Sequence, residues 1–311
     1  IYNVKTGLTV KTIAELEAQI VNMEDVINGK TFGLTTSADT LVGTGKNDHF
    51  VANLAVNPTT GAATNETLSA FDTINGGKGN DALTFYTATG TALPAATITN
   101  VETINVISSG AATANVENIV GVTKVTAKAV AAAAKVDTKS NVTSVEVTGT
   151  ATVVDVTDTG TPTTTADKLS SVSVKGSTGA ITIGSDALTT LNLDTTAASV
   201  ATITAVAGTR ELTVNAKNVT GTAGVVDATA TSVNVNFTAG TANALALTAA
   251  KAKTVNLDAK SGTKSTLTAT TWTVAETLTS KAAGQITFNA STTALTKIDA
   301  AAATGNQLFT I

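Results

Sequence analysis

The chain has 311 residues and a mass of 30.9 kDa, of which 42% are hydrophobic but only 14% charged and 3% aromatic. With no Cys, a single His, a single Arg and a net charge of −4, disulfides, thiolate nucleophiles, cysteine zinc sites and two-histidine metal sites are excluded, and nucleic acid is not expected as a partner. About one residue in five is Thr, and a core of Ala, Val, Ile, Leu and Thr suits thin, regular layers rather than an aromatic-lined enzyme pocket. No run of 18 apolar residues exists, so no transmembrane segment is expected. The chain opens at Ile1 without a signal peptide or initiator Met and reads as a fragment of a longer protein.

Residues 1–30 form an N-terminal cap unit, with a short amphipathic helix over 12–28. Ile13, Leu16, Ile20, Met23 and Ile27 recur at three- and four-residue steps, Thr12 and Glu15 make a capping box, and Gly29 stands where a helix terminates.

Residues 31–110 form a second unit, which carries the acids. One segment runs from Asp39 through Gly43 to Asp48 and Phe50, and another from Asp72 through Gly76, Gly77 and Gly79 to Asp81 and Leu83. The run Gly76–Leu83 fits the calcium-binding nonapeptide G-G-x-G-x-D-x-U-x. Glycines let a tight turn adopt positive φ and aim carbonyls inward, the Asp adds charge, and the bulky residue two places on enters the core. Calcium takes six to eight oxygens, more than one turn supplies, so two turns must stack. In each segment two Asp lie nine residues apart and so fall on opposite sides of a coil. Asp39 is expected to stack on Asp72 and Asp48 on Asp81, with 51–70 as a surface insertion. In the first copy Thr44 and Lys46 replace glycines, which points to a rearranged turn. Aligning Phe71-Asp72-Thr73-Ile74-Asn75 with Val101-Glu102-Thr103-Ile104-Asn105 puts Glu102 in the Asp72 position. That column then continues through Thr123, Thr143, Ser170, Thr189, Arg210, Thr231, Lys253, Glu276 and Thr296. Stacked carboxylates repel unless a cation separates them, whereas hydroxyls stack freely, so calcium belongs at the N-terminal end.

Residues 111–311 form a Thr/Ala-rich third unit. The anchors Ile104, Val125, Val145, Val172, Leu191, Leu212, Val233, Val255, Leu278 and Ile298 recur at steps of 19 to 27 residues. A second apolar pair follows many of them, as in Val154/Val156, Ile181/Ile183, Leu245/Leu247 and Ile286/Phe288. Units with two short strands that bury nothing alone but form a core by stacking predict an all-β fold. The expected architecture is a right-handed parallel β-solenoid of about 20-residue coils, roughly 50–60 Å long at ~4.8 Å per coil. An immunoglobulin-like sandwich array would need a repeat nearer 100 residues. His49 is expected to be an exposed loop residue, and Trp272, without aromatic neighbours, reads as local packing. Asp155, Asp158, Asp186, Asp194 and Asp258 read as turn acids, and extra calcium ligation by them stays open.

Over residues 12–107, the helix, the T-F-x-L-T-T-S-A-D-T-L-V-G-T-x-x-N-D segment, the D-T-I-N-G-G-x-G-N-D segment and the N-V-E-T-I-N-V continuation resemble RTX-type surface-layer (S-layer) proteins of the Caulobacter and Campylobacter kind. The resemblance implies type I secretion, folding on extracellular calcium and self-assembly into a two-dimensional lattice on the cell surface. It also implies anchoring to lipopolysaccharide through a region outside this chain. The expected function is therefore structural, with Ca²⁺ bound by Asp39, Asp48, Asp72, Asp81 and Glu102 and by the turns holding Gly43, Gly76, Gly77 and Gly79. The alternatives are an RTX adhesin or other binding solenoid and, less favoured, a β-helical polysaccharide lyase. An ice-binding face is disfavoured because its T-x-T pairs fall at no common repeat position.

Overall fold

The computed structural model describes Thr12 and residues 29–311 apart from 89, 140, 159–166, 198, 207, 222, 241 and 291–294. The expected helix over 12–28 lies outside the described residues except for Thr12, and among the described residues there is no helix. The chain winds as an all-β parallel solenoid of about 12 turns. A 13-stranded sheet, here the long sheet, runs from Thr31–Gly33 to Lys297–Asp299. A 10-stranded sheet faces it from Ala112–Asn115 to Gln307–Thr310. The first coils use a 3-stranded sheet instead, made of Thr40–Val42, Thr73–Asn75 and Thr97–Thr99. The cross-section therefore changes between Thr99 and Ala112.

Pairing within these three sheets is parallel, which rules out the antiparallel sandwich array. The antiparallel pair is a hairpin of Leu54–Val56 with Ala63–Glu66. It supplies the expected insertion, although Val51 and Ala52 belong to a strand of the long sheet.

Period-two alternation explains which face is buried. In Ser144–Gly149, Val145 and Val147 are buried while Ser144 and Glu146 are not. Ile104, Val125, Val145, Val172 and Leu191 pair in register as one column, and all are fully buried. Burying a Val or Leu side chain contributes roughly 1.5–3 kcal/mol, so each coil is held by its two neighbours. The apolar pairs 154/156, 181/183, 245/247 and 286/288 are likewise buried, in the 10-stranded sheet.

Two expectations need correction here. Leu191 pairs with Val214, not Leu212, and the column resumes at Leu212 with Val233, so the register slips by one in-facing position. Trp272 does have an aromatic neighbour: its ring meets Phe288 edge-on at 5.8 Å, and its Nε1–H donates to the Ala252 carbonyl at 2.7 Å. Phe288 lies on the next coil and is distant in sequence, so no local pattern reveals it.

Candidate functional site

Each acid of the duplicated segment sits at a corner just before a strand. Asp39 and Asp72 precede strands of the 3-stranded sheet, and Asp48 and Asp81 precede strands of the long sheet. Both expected stacks form. The Asp39 N–H donates to Asp72 Oδ1 at 2.8 Å, and the Asp48 N–H donates to Asp81 Oδ1 at 2.6 Å.

Glu102 corrects the expected ladder. Ala82 pairs with Thr103, so Glu102 stacks on Asp81, and its Oε2 accepts the Asp81 N–H at 2.7 Å. The axial line is therefore Asp48, Asp81, Glu102. The residue after Asp72 on the other corner is Ala96, because Thr73 pairs with Thr97. A Thr-Ile-Asn run opens a strand at both corners, at Thr73 and at Thr103, so sequence likeness alone picks the wrong one.

Beyond Glu102 the same line carries hydroxyls. Thr123 Oγ1 donates to the Glu102 carbonyl, Thr143 to Thr123, Ser170 to Thr143 and Thr189 to Ser170, at 3.2–3.3 Å. The expected column breaks at Arg210, which turns inward and is buried. Its guanidinium donates to Asp227 Oδ2 at 2.5 Å and to the Leu188 carbonyl at 2.9 Å. The hydroxyl pattern then returns at Thr231 and Thr296.

The carboxylates cap backbone donors. Asp48 accepts from the Lys30 N–H at 2.6 Å and from the Thr44 N–H at 2.5 Å and hydroxyl at 3.0 Å. Asp72 Oδ2 accepts from Ser69 N–H at 2.6 Å, and Asp39 Oδ2 from Thr35 N–H at 2.7 Å. The two glycine turns differ as their sequences suggest. In the second, Gly77 and Gly79 have φ of 94° and 132°, a region from which Thr44 and Lys46 of the first turn stay out. Gly77 donates its N–H to Asn75 Oδ1, whereas the equivalent Thr44 N–H goes to Asp48. Asp81 Oδ2 is consequently buried with no hydrogen-bond partner.

Beside that oxygen lies a cradle without side chains. A Cβ on Gly76 would fall 2.5 Å from Asp81 Oδ2 and 1.8 Å from the Asn100 carbonyl oxygen, and one on Gly43 would fall 2.0 Å from the Gly76 carbonyl oxygen. Burial raises the Asp81 pKa, the Asp48 N–H opposes this, and the charges of Asp48 and Glu102 raise it further. An orphaned carboxylate oxygen among hard oxygen donors fits a cation of calcium's kind. Among the described residues no three His, Cys, Asp or Glu converge on one point, so main-chain carbonyls and water would have to complete its shell.

The remaining candidates have other partners. His49 lies in a strand rather than a loop; it is exposed, and its Nε2 contacts Thr84 Oγ1 at 2.8 Å. Asp158 accepts from the Lys168 and Leu169 N–H groups, Asp186 from Val206, and Asp258 from Ala259. Asp194 pairs with Lys217 at 3.0 Å, and Asp155 lies in register with Lys135. Asp167, unremarked in the sequence, accepts the Asp186 N–H at 2.7 Å. Burial raises its pKa, as do Asp158 and Asp186 nearby. The Asn100 carbonyl was equally hidden, because backbone donors leave no trace in residue type. No protein-family model matches this chain, and no curated protein gives a significant match to it.

Proposed function

We propose that this chain is a structural segment of a secreted, calcium-ordered cell-surface lattice of the S-layer kind, and that it makes contacts rather than products. The observation that supports this reading is the handover along one axial line, from the carboxylates of Asp48, Asp81 and Glu102 to the hydroxyls of Thr123, Thr143, Ser170 and Thr189. Hydroxyls link coils unaided, whereas carboxylates in successive coils repel. Asp81, with Asp48 and Glu102 on either side, would hold Ca²⁺, and Asp39 and Asp72 form a two-acid line at the other corner. The bound ion would neutralise these acids and clamp the first coils, stabilising them by mass action.

The core is filled by stacked apolar side chains, which leaves recognition to the outer faces and the ends. Outward Thr, Ser, Asn and Ala lose little entropy on contact, and weak contacts repeated across a lattice add up. Electron microscopy with millimolar calcium should show ordered sheets that a chelator disperses. Monomers under both conditions, together with turnover of a glycan, would overturn the reading in favour of an enzyme.

A further inference from the structure

We propose that the outer face of the long sheet, from Ser173 to Lys281, binds a neutral polysaccharide lengthwise. This is independent of the calcium line, which lies on earlier coils.

Two grooves of about 460 and 480 Å³ lie along this face. Ser173, Asn192 and Asn215 floor the first, and Asn234, Asn236 and Asn256 the second. The side chains are hydrogen-bonded into axial ladders. Asn192 Nδ2 donates to Ser173 Oγ at 2.9 Å, Asn215 to Asn192 Oδ1 at 2.8 Å and Asn236 to Asn215 Oδ1 at 2.9 Å. A parallel ladder runs from Asn256 to Asn234 at 2.8 Å. The Asn236–Asn215 bond joins the two grooves.

A primary amide offers two N–H donors and an oxygen with two lone pairs. Asn215 uses one donor toward Asn192 and one lone pair toward Asn236, which leaves one of each on a half-buried side chain at the groove floor. Repeated at the ~4.8 Å coil spacing, this makes a strip of paired donors and acceptors. Sugar hydroxyls are also paired donors and acceptors, and an extended β-linked glycan advances by a similar distance per ring.

The charges on the walls decide the ligand's charge. Glu146, Asp194 and Asp258 are matched by Lys175, Lys217 and Lys281, and Lys217 is bonded to Asp194 at 3.0 Å. Neither a polyanion nor a polycation gains from such a balanced field. The lining residues include no aromatic ring for sugar stacking, so each sugar binds weakly and affinity must grow with chain length.

The test is affinity electrophoresis in native gels cast with barley β-glucan, glucomannan, dextran or polygalacturonate, run with chelator so that the metal reading plays no part. At least one neutral polymer should retard the protein severalfold more than polygalacturonate, and its tetrasaccharide should compete at least tenfold less well per sugar. The double variant Asn192→Ala/Asn215→Ala should lose the retardation. Thr279→Met should weaken it as well, because it crowds the second groove with a non-aromatic side chain while keeping every Asn–Asn bond; melting curves of both variants report folding. If the double variant fails to fold, Thr279→Met decides. The proposal is overturned if no neutral polymer retards the protein, if only polygalacturonate does, or if folded Thr279→Met is retarded like the wild type.

Discussion

At Gly76 a methyl group has nowhere to go. It would meet the Asn100 carbonyl at 1.8 Å, which is backbone and cannot swing aside. Gly76→Ala should therefore lower stability by roughly 1–3 kcal/mol or more, whereas Gly45→Ala, with nothing within 4 Å, should leave the melting temperature almost unchanged. Asp81→Ala should weaken calcium binding in calorimetry far more than Asp258→Ala; equal effects would refute the assignment of the site to Asp81. Asp194 gives a pH prediction. Burial raises its pKa, but hydrogen bonds from Thr195 and Lys217 and the charges of Lys217 and Lys175 outweigh burial and hold it below the ordinary range. A depressed carboxyl stabilises the fold above its unfolded pKa, and that contribution is lost as pH falls through the folded value. Asp194→Asn should thus flatten the acid limb of the melting-temperature profile, below about pH 4. At this scale the stacked pairs Asp39/Asp72 and Asp48/Asp81 were legible because the whole segment is duplicated. Glu102 was assigned to the wrong line because its flanking Thr-Ile-Asn run occurs at both corners, and the strand register and the Asp81 N–H bond distinguish them.

The slip between Thr190–Asp194 and Glu211–Lys217 shows what strand patterns can and cannot tell. Alternation made the strands and their buried faces readable, since Leu212 and Val214 are both apolar and both fully buried. For the same reason it could not choose between them as partner of Leu191, because a shift of two preserves the face. Beside the slip lies the Arg210–Asp227 pair, with Asp227 fully buried. Asp227→Ala would strand a buried guanidinium and should cost about 3–5 kcal/mol by denaturant unfolding. Replacing both partners, as in Arg210→Met with Asp227→Leu, should recover only part of that loss, because the Thr229 and Ala230 N–H groups that donate to Asp227 Oδ1 stay unpaired.

A solenoid is stabilised by nearest neighbours, so its coils can loosen separately. Under the calcium reading, a chelator should lower the melting temperature and raise amide exchange first over residues 35–110, with the coils beyond Thr123 protected longer; an unmoved melting curve would remove calcium from the account. The hydroxyl column has one more consequence. From Thr189 back to Thr123 every O–H points toward the preceding coil, so the group dipoles add instead of cancelling. Their positive ends aim at the coil of Glu102, next to Asp81. The column thus acts as a weak electrostatic lens that favours negative charge at one end of the line and would disfavour lysine there.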